Sequence, residues 1–363
     1  MSIESDGAVT IALDAMGGDH APKIVIEGAA IAHKRYSGIH FLFFGNENEI
    51  KPLLENHKDL VKNAEIHHTS EFIPNDMKPA QALRNGRQSS MRLAINAVND
   101  GQAQAVVSAG NTGALMGMAK FVLKTLPGID RPAICAFFPT MKGETVMLDL
   151  GANTECTPEN LVDFAVMGAF FANSILGIDQ PRIGVLNVGS EEIKGRDDVR
   201  IAAQELRALE LPGQFIGYVE GDDITRGEVD VVVTDGFTGN VALKTAEGTA
   251  KMYTEYLRRT FKSSWLAQIG YLFAKGAFAR LKKRTDPRTY NGAMFVGLRG
   301  VCVKSHGGTD EVGFANAIGV AYDLVKQKFN DQISKRIQIM HEKVMALPPE
   351  IREAQPVKEA ASA

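Results

Sequence analysis

The chain has 363 residues, of which 45% are hydrophobic and 23% charged, enough apolar material for one large folded core. Its 40 basic and 43 acidic residues give a formal charge of −3, which argues against nucleic acid as a partner. The three cysteines, Cys135, Cys156 and Cys302, lie far apart without CxxC spacing, so a reducing, cytoplasmic environment is expected.

The N-terminus lacks a basic segment followed by an apolar run, so no signal peptide is predicted. Two stretches without Asp, Glu, Lys or Arg, 101–119 and 164–178, are not predicted to span a membrane. The first is rich in Gln, Ser, Asn and Gly, and the second is shorter than the roughly 20 apolar residues that a membrane-spanning helix needs.

Short β-branched runs alternate with helical patterns along the chain. Strands are predicted at 9–13, 41–44, 105–108, 145–148, 182–188 and 229–234. Helices are predicted over 161–176, after the capping pair Thr157-Pro158, and from Asn316 to about Met345. Continuous apolar strands separated by helices predict a mostly parallel sheet with helices on both faces, a three-layer α/β/α fold.

No Pro/Ser-rich linker divides the chain and no internal repeat is present. We therefore predict a single α/β domain over 1–347, which includes a basic amphipathic helical segment at 252–284. The mixture of Pro, Ala and Glu in 348–363 is typical of a disordered tail.

Five glycine-bearing turns follow predicted strands, at 14–19, 108–113, 149–153, 187–190 and 234–240. Because the strands of a parallel sheet all end at one edge, we expect these turns to converge on a single crevice. Turns that lead into helices at Gly113 and Gly239 would favour a phosphate or an oxyanion. None matches the dinucleotide or P-loop pattern, and any one of them could simply be a tight turn.

The ionisable candidates near this edge are Asp14, Asp19, Lys194, Asp235, Lys244 and His306. Lys194 could serve as a point charge for phosphate or a thioester oxygen, although a solvated surface lysine is the alternative. His306 follows a predicted strand at 300–303 and could act as a general acid or base, or could only hydrogen-bond within its turn.

Arg84 and Arg87 are three residues apart, a spacing that could aim both guanidinium groups at one phosphate or serve ordinary surface pairing. Cys156 is a weak candidate for a nucleophile because no histidine is near it in sequence. The histidines show no metal-binding spacing, so we predict no catalytic metal and no cofactor.

The segment 258–284 holds eight basic residues and no acidic one. Its apolar residues recur at helical spacing, so one helix face is predicted to contact an anionic membrane, an acidic protein or a dimer partner. The residues predicted to make this contact are Trp265, Leu266, Ile269, Leu272, Phe273, Lys282, Lys283 and Arg284.

Four motifs, at 12–19, 107–116, 235–241 and 304–307, resemble those of the acyl-acyl-carrier-protein:phosphate acyltransferases of bacterial phospholipid synthesis. The resemblance covers about 9–325. It implies a fold related to phosphotransacetylase and isocitrate dehydrogenase, a homodimer, and association with the inner face of the cell membrane. It also implies acyl carrier protein and inorganic phosphate as substrates, with a glycerol-3-phosphate acyltransferase acting downstream. One departure is Glu155, where the family commonly has Asp.

The expected chemistry is direct attack by a phosphate oxygen on the thioester carbonyl, without an acyl-enzyme. Lys194 and His306 would neutralise phosphate charge or protonate the departing sulfur, Asp235 would orient one of them, and Asn111, Asn240 and other donors would stabilise the oxyanion. The predicted substrate- and phosphate-binding positions are Asp14, Gly17, Gly18, Arg84, Arg87, Gly110, Thr112, Gly113, Asn153, Gly236, Thr238 and Gly239.

Three alternatives stay open at this point. A phosphate acetyltransferase acting on coenzyme A thioesters would use the same chemistry on the same fold. A metal-dependent decarboxylating dehydrogenase would need a nucleotide site and clustered carboxylates, neither of which the sequence indicates. A scaffold without activity could recruit other lipid enzymes.

Overall fold

The computed structural model describes residues 8–284, 286–346 and 348. Its eleven strands form one sheet. In chain order they are β1 Val9–Asp14, β2 Ile39–Gly45, β3 Ala64–His68, β4 Ala105–Ser108, β5 Ala133–Pro139, β6 Glu144–Leu148, β7 Arg182–Leu186, β8 Gln214–Val219, β9 Val231–Val233, β10 Ala293–Val296 and β11 Val301–Lys304.

Thirteen α-helices connect these strands within the described residues. They are α1 Lys23–Arg35, α2 Glu47–Leu54, α3 Lys58–Val61, α4 Pro79–Asn85, α5 Ser90–Asn99, α6 Thr112–Leu123, α7 Pro158–Leu176, α8 Asp197–Ala208, α9 Asp223–Arg226, α10 Gly236–Lys262, α11 Trp265–Arg284, α12 Glu311–Lys326 and α13 Phe329–Met345.

The strand order is β3-β2-β1-β4-β11-β10-β5-β6-β9-β7-β8. The first five strands of this order are parallel to one another, and so are the last four. Between them, β10 is antiparallel to both β11 and β5, and β5 is antiparallel to β6. The two parallel halves therefore run in opposite directions.

Helices cover both faces of the sheet, which confirms the predicted three-layer α/β/α fold. Alternate side chains of a strand enter opposite cores: Val107 and Leu148 point to one side, Val106 and Met147 to the other. The first core includes α1, α7 and α12, and the second includes α4, α5 and α6. Both cores run along the sheet.

The charge-free stretch 164–178 belongs mainly to α7, whose residues are buried on nearly every side. This helix begins as predicted, with Pro158 in its first turn and a capping box between Thr157 and Asn160. It ends at Gly177, which adopts a left-handed conformation. No helix among the described residues has the length and apolarity required to cross a membrane.

The predicted helix from Asn316 to Met345 is two helices, α12 and α13, because the chain turns at Gln327 and Lys328. Lys328 has φ +51°, which a continuous helix does not permit. The predicted tail, 348–363, lies outside the described residues except for Pro348. The single-domain assignment stays a prediction.

A helical hairpin forms where the basic segment was predicted. Helix α10 contributes the 27 residues up to Lys262, and α11 returns after a two-residue turn. The rings of Phe261, Tyr271 and Phe278 pack together between the two helices. The hairpin is therefore held by an aromatic seam, while most of its remaining surface is exposed.

Candidate functional site

The five glycine-bearing turns do not meet at one edge of the sheet, so that expectation is wrong. The turns after β1 and β4 lie at the edge where β11 also ends. The turns after β6, β7 and β9 lie at the opposite edge, because these strands run the other way. Two separate polar groups result, one around Asp14 and one around Asp149.

The Asp14 group is built around a buried carboxylate at the end of β1. Ser90 and Ser108 each donate a hydroxyl hydrogen bond of 2.6 Å to it, one to each oxygen. Burial raises the pKa of Asp14, and the two hydroxyls together with the charge of Lys304 act in the opposite direction. Asp14 is therefore anchored in the fold and faces a lysine.

Lys304, the last residue of β11, is half-buried beside this carboxylate. Its Nζ donates to the carbonyl oxygens of Ala109, at 3.3 Å, and Ser305. Burial lowers the pKa of Lys304 to about 8, with Lys244 acting in the same direction and Asp14 opposing it. An ammonium group has three donors, so one remains for a ligand.

His306 lies two residues further on and is exposed. Its Nδ1 accepts a hydrogen bond from the backbone N–H of Gly308 at 3.1 Å, which places the proton of the neutral imidazole on Nε2. Partial burial lowers the pKa of His306, and the charges of Lys244 and Lys304 lower it further. The neutral form offers Nε2–H as a donor.

Several predicted donors of the Asp14 group already have partners. Asn111 caps α6 by accepting from Ala114, and its amide donates to the carbonyls of Asn75 and Met77. The N–H of Gly110 donates to Ser108. Binding an oxyanion at either position would require these bonds to break, so the structure does not support them as ready donors.

The glycines of this group make room for neighbouring atoms. A Cβ on Gly17 would collide with the Asp14 carboxylate, and one on Gly18, whose φ is +108°, would crowd Ala109. A Cβ on Gly113 would collide with Pro79. These glycines allow the turns to pack closely, while exposed Thr112 begins α6.

The Asp149 group is a closed network. Asp149 accepts from the backbone N–H groups of Ile134, Gly151, Ala152 and Asn153 and from the Asn153 amide. Burial raises the pKa of Asp149, and these hydrogen bonds act in the opposite direction. The Asn153 amide also donates to Pro132, so its role here is structural.

Asp235 belongs to this second group and is 3% exposed. It caps α10 by accepting from the N–H and hydroxyl of Thr238, and it pairs with Arg196 at 2.8 Å. The expectation that Asp235 orients Lys194 or His306 is therefore wrong, because its oxygens hold Arg196 and Thr238.

The other predicted residues of this edge differ in exposure. Lys194 is exposed, and its Nζ pairs with Glu191 at 2.8 Å. Asn240 is exposed, and its amide donates to the carbonyl of Leu150. The N–H groups of Gly236 and Gly239 are bonded to backbone carbonyls, so neither is ready to bind an oxyanion.

Helix α10 links the two groups. It begins at the Asp235 cap, and the charges of Lys244, Glu247 and Lys251 act on His306. Lys244 is nine residues beyond the cap, about 14 Å along a helix axis. One helix therefore borders both groups although they lie at opposite sheet edges.

Arg84 and Arg87 do not form a clamp on one helix, because α4 ends at Asn85 and Gly86 is its cap. The Nε of Arg84 donates to its own helix at Ala80, and Arg87 lies close enough to Arg92 to help lower the pKa of that guanidinium, after burial. The predicted phosphate clamp is not supported by this arrangement.

Cys156 is a poor nucleophile. Burial raises the pKa of its thiol to about 12, and the charges of Asp149 and Asp235 add to the effect. Within the described part of the chain, no group of three His, Cys, Asp or Glu residues could hold a metal ion.

Lys304 was not among the site residues predicted from the sequence, although the motif 304–307 contains it. The signal was available: Lys304 directly follows a predicted strand and lies two residues before His306. Ser90, Ser108, Asp149 and Arg196 were also missed, since their roles depend on contacts with distant parts of the chain.

A family model described as "Fatty acid synthesis protein" matches residues 9–332. A phosphate acyltransferase of Rhodospirillum centenum is 63% identical over 347 residues, covering 95% of this chain and 98% of the relative. The chain belongs to the phosphate acyltransferase family. A second phosphate acyltransferase, from Paramagnetospirillum magneticum, is 59% identical and covers 90% of this chain and 93% of its own length.

Membership of the phosphate acyltransferase family confirms the predicted resemblance and the reaction class, acyl transfer. Solved structures share the fold. Phosphotransacetylases of Staphylococcus aureus and Streptococcus pyogenes each match with a TM-score of 0.55, covering 88% of this chain and 94% of theirs. Their sequence identities are 18% and 19%, so this likeness extends to the fold alone.

Proposed function

We propose that this phosphate acyltransferase moves a fatty acyl group from an acyl carrier protein thioester to inorganic phosphate, producing acyl phosphate for phospholipid synthesis. The carrying observation is that three lysines converge on His306 at the edge of the Asp14 group. Lys244, Lys251 and Lys304 all act on His306, opposed by Glu247. Such a surrounding favours a phosphate dianion.

Lys304 and His306 would contact the phosphate directly. Lys304 has a remaining ammonium donor, and neutral His306 offers Nε2–H. Asp14 would keep the Lys304 ammonium charged in a half-buried position, since its carboxylate opposes the effect of burial. The phosphate would thereby be held with one oxygen free to react.

The reaction would proceed by direct attack. A phosphate oxygen forms a bond to the thioester carbonyl carbon, and the tetrahedral oxyanion collapses as the carbon–sulfur bond breaks. The thiolate leaves with the bonding electron pair and takes a proton from the Lys304 ammonium. The acyl phosphate then gives up the proton that the attacking phosphate carried, which restores the charge of Lys304, while neutral His306 only donates a hydrogen bond. No acyl-enzyme forms, which agrees with the raised pKa of Cys156.

The remaining predicted catalytic residues, Lys194 and Asn240, would act from the other end of the substrate. Asn240 lies in the first turns of α10, and Lys194 belongs to the loop that Arg196 ties to Asp235. A long thioester substrate lying along α10 would contact both groups. Asp235 would then hold the start of that helix in place.

The test is formation of acyl phosphate from purified acyl carrier protein thioester, with and without phosphate. We expect product only when phosphate is present, and much faster turnover than with acyl coenzyme A. Turnover of acyl coenzyme A alone would contradict the proposed donor and favour a phosphate acetyltransferase. Unchanged phosphate-dependent transfer in both Lys194→Ala and His306→Ala would contradict the site.

We also propose that the hairpin mediates dimer formation and peripheral contact with the inner face of the membrane. Trp265, Leu272 and Phe273 are 69%, 71% and 89% exposed, so their apolar surface has no cover within the described chain. Leu266 and Ile269 are exposed on the same helix. The side chains of Lys282, Lys283 and Arg284 lie outside the described residues.

Vesicle binding tests the membrane proposal. Trp265→Glu with Leu272→Glu should release the protein from anionic vesicles with little effect on turnover of dispersed substrate. The control is the same binding assay with neutral vesicles, which wild type should bind more weakly. Unchanged binding combined with a loss of the dimer would assign this face to the subunit contact alone.

A further inference from the structure

A second basic surface lies outside the proposed site and is formed by helices other than those of the hairpin. Residues 78–124, which form α4, α5, α6 and their connections, contain six basic side chains and one acidic one, Asp100. Within the described chain, none of the six takes part in an ion pair. They are Lys78, Arg84, Arg87, Arg92, Lys120 and Lys124.

The centre of this surface is continuous. The guanidinium of Arg92 on α5 lies over the ring of Phe121 on α6, 5.3 Å from its centroid. The charge of Arg87 helps to lower the pKa of Arg92, which places these two cations close together. Lys120 lies next to Phe121 on α6 and is exposed. Cations from α5, α6 and the connection between α4 and α5 therefore lie near one aromatic ring.

Phe121 is 63% exposed although it lies in an otherwise well-packed helix. An exposed phenylalanine surrounded by unpaired cations is unusual for a solvated surface, but aromatic and arginine side chains are typical of protein interfaces. Phe72 is a second exposed ring in the preceding loop, which is tied to the start of α5 by the bond from Ser90 to Glu71.

This surface adjoins the Asp14 group. Helix α6 begins at the Asn111 cap, and the Asn111 amide holds the 75–77 loop that leads into α4. Asn75 in turn donates to Asp19 at 2.8 Å. Lys120 is eight residues beyond Thr112, about 12 Å along the helix. A protein bound here could direct a flexible arm toward Lys304 and His306.

We infer that the α4–α6 surface, centred on Arg87, Arg92, Lys120 and Phe121, docks an acidic face of the acyl carrier protein. The inference rests on the proposed function and adds the place where the donor binds. In this inference Arg87, which the sequence predicted as a phosphate-binding residue, contacts the carrier protein instead. Charge complementarity selects an acidic partner, and the exposed ring supplies an apolar contact at its centre.

The experiment compares two matched double variants, neither of which changes a proposed catalytic or phosphate-binding residue. Lys120→Glu with Phe121→Ala changes the α4–α6 surface. Lys335→Glu with Ile339→Ala makes matched changes on the exposed face of α13, which has no proposed role. Acyl phosphate formation is measured without membranes, using acyl carrier protein thioester and, separately, acyl-pantetheine, which lacks the protein. Binding of the carrier protein is measured directly by calorimetry.

We expect the α4–α6 variant to raise the KM and Kd for the carrier protein roughly tenfold or more at low salt. Its kcat, its KM for phosphate and its turnover of acyl-pantetheine should stay within about twofold of wild type. The α13 variant should leave every value within about twofold. The salt dependence of carrier binding should be weaker in the α4–α6 variant because fewer charges attract the partner.

Carrier affinity within about twofold of wild type in the α4–α6 variant would overturn the inference while leaving the proposed function intact. So would an equal loss with both donors or a loss confined to the α13 variant. If wild type formed no acyl phosphate from the carrier thioester, the proposed function would fail first.

Discussion

The two polar groups of this molecule each surround a buried aspartate, yet they differ in what satisfies it. The donors to Asp149 are four backbone N–H groups and the side-chain amide of Asn153, and the fold holds all of them in place. Asp14 accepts from two hydroxyls and lies beside the Lys304 ammonium. The hydrogen bonds around Asp149 are complete without a ligand. Lys304, beside Asp14, can change its charge and has one N–H left to donate.

Burial of a carboxylate therefore does not by itself identify a functional site. What separates the groups is the chemistry of the neighbours: a network of backbone donors stabilises a turn, while a lysine and a histidine can exchange protons and bind an anion. Mutations should therefore reduce stability at one group and activity at the other.

The largest expected effect is on stability. Asp149→Ala leaves four backbone N–H groups and the Asn153 amide without their acceptor, so we expect a loss of at least about 3 kcal/mol in the free energy of unfolding. Chemical denaturation measures it. Specific activity of the folded fraction should stay near wild type, and a stable but inactive protein would break the comparison.

His306→Ala tests the Asp14 group. Removing a hydrogen-bond donor that holds the reacting phosphate should lower kcat by about 100-fold or more, with little change in thermal unfolding. Steady-state kinetics with saturating phosphate give the result. His306→Gln, which keeps a donor, should be less impaired, and equal activity of all three proteins would remove His306 from the chemistry.

The pH dependence of phosphate binding tests Lys304. With a pKa of about 8, Lys304 is protonated below that pH and loses its charge above it, so KM for phosphate should rise as pH increases through about 8. In Lys304→Arg the rise should disappear because the guanidinium stays charged. The same rise in both proteins would assign the titration to another group.

The smallest effect is expected at Asp235. Its loss removes the cap of α10 and the partner of Arg196, so Asp235→Ala should destabilise the protein by about 1 to 2 kcal/mol. Asp235→Ser keeps a capping oxygen and should recover part of the loss. Recovery of stability without recovery of activity would show that Asp235 also positions α10 for the reaction.

Local sequence patterns predicted the strands at 9–13 and 105–108 well, because each is a short β-branched run followed by a glycine turn. They could not predict the direction of the strands. The reversal depends on β10 and β5, and β11 pairs with β4 although nearly 200 residues separate them. Apolar periodicity contains no information on such pairings.

The site was predicted in part for the same reason. His306 and Asp14 could be selected because they follow strands directly. The partners that determine their properties could not: Ser90 reaches Asp14 across 76 residues, and the pKa of Lys304 depends on burial and on Lys244 of a distant helix. The sequence showed which residue types follow the strands. It did not show the burial, the charges and the hydrogen bonds around them.

Helix α10 has a mechanical consequence. The charges of Lys244 and Lys251 on this helix act on His306, and after Lys262 the chain turns into α11. A continuous helix moves as a stiff rod when one of its ends tilts. Lys244 and Lys262 are about 27 Å apart along α10. A tilt of the hairpin tip would therefore shift Lys244 and change the electrostatic field at the proposed phosphate site.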